Sequence, residues 1–305
     1  MSVNRPFLVA FFTCIGLNAS WQIARRGSWQ TVAFLTVSTL LALVQNAVGI
    51  NLAEFLGVSP LLGLVCGAVS MTGGHGTSAG FSDVIAQAGL PEAGVFGAAA
   101  ATFGLVCGGL LGGPLGSALI RSKKLEPSDT TDTNKINGAA NVKADFIRDL
   151  RTMFGFGRTF LWHLLIVLFC LKAGSWVSAL VRDAGLTFPV YIGSMVLGVL
   201  IRNVLDLSGK HWIRTEVVNS MSAVFLGIFL AVALMSVQLQ QLAIAALPML
   251  IILGVQVGVM ALFAYYVTFR VMGRDYDAAI MAGGHSGFGL GATPNAVANM
   301  EALTE

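Results

Sequence analysis

Charge is what this sequence has least of. Lys, Arg, Asp and Glu make up 11% of its 305 residues, whereas an ordinary soluble domain has about 25%, and 55% of the residues are hydrophobic. So small a charged fraction excludes a water-soluble globular protein. Long uncharged stretches recur along the sequence, and because a helix needs about 20 apolar residues to cross a bilayer, they predict an all-α polytopic membrane protein.

The sequence also lacks a disulfide or metal-ligand framework. Its four cysteines, Cys14, Cys66, Cys107 and Cys170, all lie inside apolar stretches rather than in paired loop positions. The formal net charge is only +3, and 13 of the 33 charged residues crowd into 121–158. This distribution gives no indication of nucleic-acid binding, and we expect the bilayer to be the main environment of the chain.

Six stretches are long enough to cross a membrane. They are 29–55, 93–120, 160–181, 186–205, 221–239 and 247–269. Two further stretches, 61–80 and 278–298, are rich in Gly, Ser and Thr and are interrupted around a histidine. Because freed backbone N–H and C=O groups cannot face lipid, we expect these two to be re-entrant hairpins or unwound helices enclosed by the other helices.

The two halves of the chain resemble each other. A shift of 210 positions places Gly63, Ala68, Met71, Gly73, Gly74 and His75 on Gly273, Ala278, Met281, Gly283, Gly284 and His285. Four predicted crossings, an even number, lie between the long helices that precede the two hairpins, so these helices run in opposite directions. We therefore predict two inverted-topology repeats, each with a Gly-rich re-entrant hairpin, an arrangement typical of transporters.

Lys and Arg are divided unevenly between the two predicted membrane faces. If each of the six stretches crosses once and each hairpin leaves on the side that it entered, one face carries 15 of the 18 Lys and Arg, eight of them in 121–158. The positive-inside rule makes that face cytoplasmic. We therefore predict a first membrane repeat at 1–120, a flexible cytoplasmic linker at 121–158 and a second membrane repeat at 159–305.

Gly-Gly-His stands in both hairpins, at 73–75 and at 283–285. Glycine lets the main chain approach a ligand closely, the start of a helix presents free N–H groups to a carboxylate, and unwound carbonyls suit a sodium ion. One alternative is that the glycines serve only close helix packing. Another is that each histidine is neutral and braces its own hairpin.

Amide side chains interrupt the long helices that precede the hairpins. Gln45, Asn46 and Asn51 lie in 29–55, and Gln256 repeats Gln45 at a shift of 211. Amides at this depth bind substrate, bind sodium or tie helices together. Gln45 and Gln256 are the better functional candidates because they repeat.

Several motifs closely resemble the bacterial sodium/glutamate symporter family. They are FFTCIGLN at 11–18, QNAVGI at 45–50, GGHGT at 73–77, ATFGLV at 101–106, GHSGFGLGATP at 284–294 and AVANM at 296–300. The resemblance implies sodium-coupled uptake of L-glutamate by a homodimer in the bacterial inner membrane. It also implies an elevator-type movement of a core that holds both hairpins against a dimerising scaffold, with sodium as coupling ion and no other cofactor.

The resemblance and the motifs together suggest a binding site. Glutamate loses its hydration on entering the protein, so each of its charges must be met there. We expect N–H groups and hydroxyls to hold its carboxylates at Gly74, His75, Gly76, Thr77, Gly284, His285, Ser286 and Gly287. We expect oxygen atoms near Gln45, Asn46, Thr293 and Asn295 to bind sodium or the ammonium group.

Other functions remain open at this point. A sodium-coupled carrier of di- or tricarboxylates such as citrate or malate would use a similar inverted scaffold. A membrane enzyme would need a nucleophile or metal constellation that the motifs do not contain, so we predict no enzymatic activity, and a channel fits closing hairpins less well than alternating access does. Because family members carry further hydrophobic segments on both sides of the matching region, we also expect a chain truncated at both ends, with a non-transporting fragment as one alternative.

Overall fold

The structure is a computed structural model, and it describes residues 5–21, 29–126, 157–183, 191–209, 212–235, 239–291 and 293–304. Every regular element within these ranges is a helix. In chain order they are α1 (Arg5–Asn18), α2 (Trp29–Phe55), α3 (Pro60–Leu64), α4 (Gly74–Gln87), α5 (Ala93–Lys123), α6 (Gly157–Asp183), α7 (Ile192–Leu207), α8 (Thr215–Met235), α9 (Leu239–Phe263), α10 (Phe269–Val271), α11 (Tyr276–Leu290) and α12 (Thr293–Thr304). Two π-helical segments accompany them, with Val65–Val69 following α3 and Ala264–Thr268 joining α9 to α10.

Four stretches of helix are long and apolar enough to cross a membrane. They are Trp29–Phe55, Ala93–Lys123, Thr159–Ala179 and Ala245–Val271, and they correspond to four of the six predicted crossings. The predicted crossing 186–205 becomes α7, which begins at Ile192 and has 16 residues. The predicted crossing 221–239 corresponds to α8, which begins earlier and ends at Met235.

The outer surfaces of these long helices are apolar. On α2, Trp29 is 80% exposed and Phe55 is 86% exposed, and other large aliphatic side chains between them are also uncovered. Such a surface would be unusual for a monomer in water but is what contact with lipid requires. The structure therefore agrees with a multi-spanning membrane protein made of helices.

The chain forms two compact units, each built from two stretches of sequence. The first contains α1 and α6 to α8. Its core packs Cys14 and Leu17 of α1 against Val218 and Met221 of α8. The second contains α2 to α5 and α9 to α12, so both interrupted segments belong to the same unit.

The first interrupted segment breaks where the glycines predict. The Ser59 side chain caps α3, and the π-helical segment that follows contains Gly67 with a non-helical backbone (φ −87°, ψ −145°). After a turn, Gly74 begins α4 with φ +62°. A left-handed backbone here is easy for glycine and strained for other residues.

The second interrupted segment breaks later than expected. From the sequence, an interruption is expected around the histidine in both motifs, and the structure corrects this for the second one. Helix α11 runs without interruption through Gly283, Gly284 and His285 and ends at Leu290, followed by Gly291. The physical reason is packing, because the missing side chains of Gly283 and Gly284 leave room for Leu303 and Met300. N–H groups inside a helix are bonded to carbonyls four residues earlier, so those at 284–287 are not free.

The predicted linker lies mostly outside the described residues. Helix α5 continues to Lys123, so the first positions of 121–158 are helical, and Lys124 ends the helix in a left-handed conformation (φ 51°). Residues 127–156 lie outside the ranges that the structure describes. The flexible character and the cytoplasmic location of the linker therefore remain predictions.

Candidate functional site

Buried amide groups meet the two interrupted segments inside the second unit. Gln45 of α2 is fully buried, and its Nε2 donates to the carbonyl oxygen of Gly289 at 2.9 Å. Its Oε1 accepts from Thr72 Oγ1 at 2.6 Å, and the Thr72 hydroxyl also lies 3.2 Å from the Gly289 carbonyl. One side chain thus joins α2 to the turn before α4 and to the last turn of α11.

Gln256 of α9 extends this group. Its Nε2 donates to the main-chain carbonyl of Gln45 at 2.7 Å, while its Oε1 is buried and has no hydrogen-bond partner among the described residues. An unpaired carbonyl oxygen in a buried position costs about 1–3 kcal/mol. We name Gln45, Thr72, Gln256 and the Gly289 carbonyl the amide cluster, and its free oxygen is suited to a cation or an N–H donor.

Asn46 follows Gln45 in α2, and its side chain binds the main chain where the first segment is interrupted. Its Oδ1 accepts from the main-chain N–H of Ala68 at 2.8 Å. That N–H needs a side-chain partner because Gly67 leaves the helical conformation just before it. Asn46 is therefore brought to the first break, where it stabilises the interruption and keeps one lone pair of its oxygen.

The two breaks meet each other next to the amide cluster. A Cβ placed on Gly74 would lie 2.9 Å from the carbonyl oxygen of Gly291. The start of α4 and the end of α11 thus approach main chain to main chain, with no side chain between them. This contact joins elements separated by more than two hundred positions in the sequence.

The first turn of α4 carries four of the expected substrate residues. The N–H groups of His75 and Gly76 have no hydrogen-bond partner within the described part of the chain, whereas Thr77 N–H donates to Gly73 at 3.4 Å. His75 Nε2 lies 3.0 Å from Thr102 Oγ1. Because Thr102 donates its own hydrogen to Ala98, His75 Nε2 is the donor and Nδ1 is left as an acceptor.

His285 has a different environment from His75, although the two share the same motif. Its ring is fully buried, with Nδ1 2.8 Å from Thr268 Oγ1 and Nε2 3.2 Å from Ser38 Oγ. Phe34 and Phe263 meet the ring edge to face. Both nitrogens are occupied, so the side chain braces α11 against α2 and the second π-helical segment.

The remaining expected residues lie around the second break. Ser286 Oγ donates to Ala282 of its own helix, and Gly287 packs against the main chain of Asn295. Asn295 Nδ2 donates to the Leu105 carbonyl of α5 at 2.6 Å, which ties the start of α12 to α5. Thr293 is exposed, and none of its groups forms a described hydrogen bond.

Three groups that the sequence analysis did not select belong to this region. Thr72 precedes the first Gly-Gly-His, and its position beside that motif was a usable signal. The carbonyls of Gly289 and Gly291 participate through the main chain, which leaves no signature in a side-chain pattern. Apolar spans, two broken segments in contact and buried amides at their junction are together the arrangement of a secondary transporter.

Comparisons with known proteins identify the family. The family model described as sodium/glutamate symporter matches residues 1–305, and the chain belongs to this family, which consists of transporters and not of enzymes. The sodium/glutamate symporters of Escherichia coli (strain K12) and Shigella flexneri are each 40% identical over 306 residues, covering 100% of this chain and 75% of the relative. The sodium/glutamate symporter of Haemophilus influenzae is 38% identical, with 99% and 74% covered. No solved structure matches the chain.

Proposed function

We propose that this chain couples the inward movement of sodium to the uptake of L-glutamate by alternating access, with the amide cluster and the two breaks as its binding site. Family membership supports sodium and glutamate as the two solutes. The observation that carries the location is the contact between Gly74 and Gly291 beside Gln45 and Gln256. Transporters with repeated halves bind their substrates where two broken elements meet.

A carboxylate of glutamate binds at the start of α4 in this proposal. The N–H groups of His75 and Gly76, which have no partner among the residues that the structure describes, favour an anion there, as does the positive end of the helix dipole. The Thr77 hydroxyl adds a donor, and the missing side chain of Gly74 lets the Gly291 main chain approach this helix start. From the second segment, Gly284, His285, Ser286 and Gly287 contribute by holding α11, which places Gly289 and the following Gly291 at the site.

Sodium binds to oxygen atoms on the other side of the same junction. The buried Oε1 of Gln256 has no described partner. The side-chain oxygens of Gln45 and Asn46 each keep a lone pair beside the one bond that they accept among the described residues. Asn295 and Thr293, at the start of α12, complete the proposed set. A bound cation would draw the two breaks together and so favour the geometry that binds glutamate, which makes the coupling reciprocal.

The larger architecture is part of the proposal. The family resemblance supports inverted repeats, an elevator-type movement and a homodimer in the bacterial inner membrane. The grouping of both broken segments in one unit supports a substrate-carrying core. The unequal distribution of Lys and Arg supports a cytoplasmic 121–158.

Thr72→Val tests the amide cluster. The substitution keeps the shape of the side chain but removes the hydroxyl that donates to Gln45. Losing one buried hydrogen bond changes a binding free energy by about 0.5–1.5 kcal/mol, so we expect half-maximal uptake to need roughly two to twelve times more sodium. The measurement is uptake of labelled L-glutamate into proteoliposomes as a function of the sodium gradient, with potassium as the blank.

Thr39→Val is the matched control, because Thr39 is exposed on α2, the helix that carries Gln45, and its hydroxyl donates to the Leu35 carbonyl within that helix. Equal sodium dependence in the two variants would remove the cluster from the site. No uptake by the unaltered chain beside an active full-length relative would contradict transport by this chain. Sodium-dependent uptake of labelled citrate or malate, with none of labelled glutamate, would reassign the substrate to the di- or tricarboxylate class.

A further inference from the structure

A basic and aromatic pocket lies at one end of the second unit, away from the amide cluster. It has a volume of about 400 Å³ and is lined by Lys123, Leu125, Tyr265, Tyr266, Phe269, Arg270 and Arg274. None of these residues takes part in the proposed transport site. No acidic side chain belongs to the described lining, so the pocket concentrates positive charge.

The three cations of this pocket have no carboxylate partner among the described residues. Arg270 is held in place by its own helix, because Nη1 donates to the Tyr266 carbonyl at 3.1 Å and the guanidinium lies 5.5 Å from the centre of the Tyr266 ring. The nearby carboxylate of Asp275 instead caps α11 by accepting from Ala278 N–H. Two guanidinium groups and one ammonium group on one pocket are suited to the oxygens of a phosphate.

The position of the pocket distinguishes a lipid from a soluble anion. The pocket lies where two candidate membrane spans end, Ala93–Lys123 and Ala245–Val271. Leu262 and Val271 on the second span are 61% and 50% exposed, so an apolar surface continues from the pocket along the helix. Basic and aromatic side chains at the end of an apolar span lie at the depth of lipid headgroups.

We propose that this pocket binds the phosphodiester headgroup of an anionic phospholipid. Lys123, Arg270 and Arg274 contact the phosphate oxygens, Tyr265 and Tyr266 lie beside the glycerol, and the acyl chains follow the exposed apolar surface of the span. The same charges would also attract a soluble phosphate, so the experiment compares the two sources. Binding is measured apart from transport, and its failure leaves the proposed function untouched.

The test uses the full chain in detergent and the double variant Arg270→Gln with Arg274→Gln. Binding of phosphatidylglycerol is followed by native mass spectrometry and by the rise in melting temperature on lipid addition. Each basic residue near an anionic surface contributes about a fivefold factor in affinity, so the double variant should bind about 25-fold more weakly. Phosphatidylcholine, inorganic phosphate and glycerol phosphate are the comparison ligands, and none should reproduce the effect of phosphatidylglycerol.

The matched control is Arg121→Gln with Lys124→Gln. These two exposed cations lie at the same end of α5 but outside the pocket, and the control removes the same charge. Each pair also contains one residue with a left-handed backbone, Arg274 and Lys124. If the two double variants lose affinity for phosphatidylglycerol equally, the attraction is a general property of the surface. If inorganic phosphate raises the melting temperature as much as phosphatidylglycerol does, the ligand is a soluble anion. Either result overturns the proposal.

A second measurement uses the unaltered chain and does not depend on how the variants fold. Phosphatidylglycerol with a photoreactive headgroup is incorporated in bilayer nanodiscs that contain the protein, and the crosslinked peptides are identified. We expect labelling at residues 123–125 or 265–274. Labelling confined to other segments would overturn the assignment.

Discussion

Gly74 combines two demands that only glycine meets at low cost. Its φ of +62° is left-handed, which costs other residues about 1–2 kcal/mol. Its Cα also faces the Gly291 carbonyl, so that a Cβ would stand 2.9 Å from that oxygen. The first demand concerns the turn itself, and the second concerns the junction of the two broken segments.

Gly74→Ala should therefore impair both folding and transport. We expect a loss of about 1–2 kcal/mol from the backbone and about a tenfold fall in sodium-dependent glutamate uptake, because Gly291 must move away from the site. Gly57→Ala is the matched control, since Gly57 has φ +70° and no atom lies within 4 Å of the methyl group that alanine would add. Melting temperature and uptake are measured for both, and equal uptake would contradict a functional contact between the breaks.

His75 and His285 show how one motif acquires two roles. His75 is half-buried at the start of α4, and its Nδ1 and two nearby N–H groups have no partner within the described ranges. His285 is enclosed by Phe34 and Phe263, with hydroxyl partners on both nitrogens. The contacts of His285 hold α11 against α2 and the second π-helical segment, and its expected role in substrate binding stays a prediction.

At the scale of elements, α5 and α11 make close backbone contact near the site. A Cβ on Gly104 of α5 would overlap the carbonyl oxygen of Leu290 in α11. Asn299 of α12 adds a polar tie, because its Nδ2 donates to the Gly108 carbonyl at 2.9 Å. Small residues that allow such close approach, together with polar ties, are the usual means of joining helices in membranes.

Gly104→Ala should push α11 away from α5. Overpacking at a rigid backbone contact costs about 1–3 kcal/mol, so we expect a clear fall in the melting temperature of the purified chain. Gly113→Ala on the same helix is the control, because no atom lies within 4 Å of its added methyl group and alanine favours a helix. A similar fall in the two variants would show that helix contact at Gly104 is not the cause.

At the scale of the whole molecule, the uneven Lys and Arg distribution predicts an orientation. Helix α5 has 31 residues, about 46 Å at 1.5 Å per residue, which is enough to cross a bilayer of about 30 Å. Its two ends should therefore be accessible from opposite sides. Three of the four native cysteines are buried and Cys107 is partly covered. The unaltered chain should therefore react little with a maleimide and serves as the background measurement for introduced cysteines.

Ala88→Cys and Arg121→Cys test this orientation. Both positions are exposed and lie near opposite ends of α5. A membrane-impermeant maleimide should label the first in intact cells and the second only in inverted vesicles. Labelling of both from one side would contradict a crossing by α5, and the reverse pattern would contradict the cytoplasmic assignment of 121–158.

The positions of several helices, and of one break, could be predicted from local patterns in the sequence. The apolar stretches 29–55 and 93–120 predicted α2 and α5 within a few residues, because the length of an apolar run is a property of neighbouring positions. The glycines at 73–74 likewise predicted a real break. The amide at Gln45 was recognised as unusual because an amide inside an apolar helix needs a partner.

The sequence by itself determined that this chain is a helical membrane protein of the sodium/glutamate symporter family, since hydropathy and motifs are read along the chain. Only the tertiary structure decided that Gly283 and Gly284 remain helical and that the second break lies at Gly291. It also decided that the main-chain carbonyl of Gly289, 244 positions away from Gln45, is the partner of that side chain. Contacts of this kind depend on which helices pack together. Because every residue has the same backbone oxygen, the sequence does not show which carbonyl a buried amide will meet.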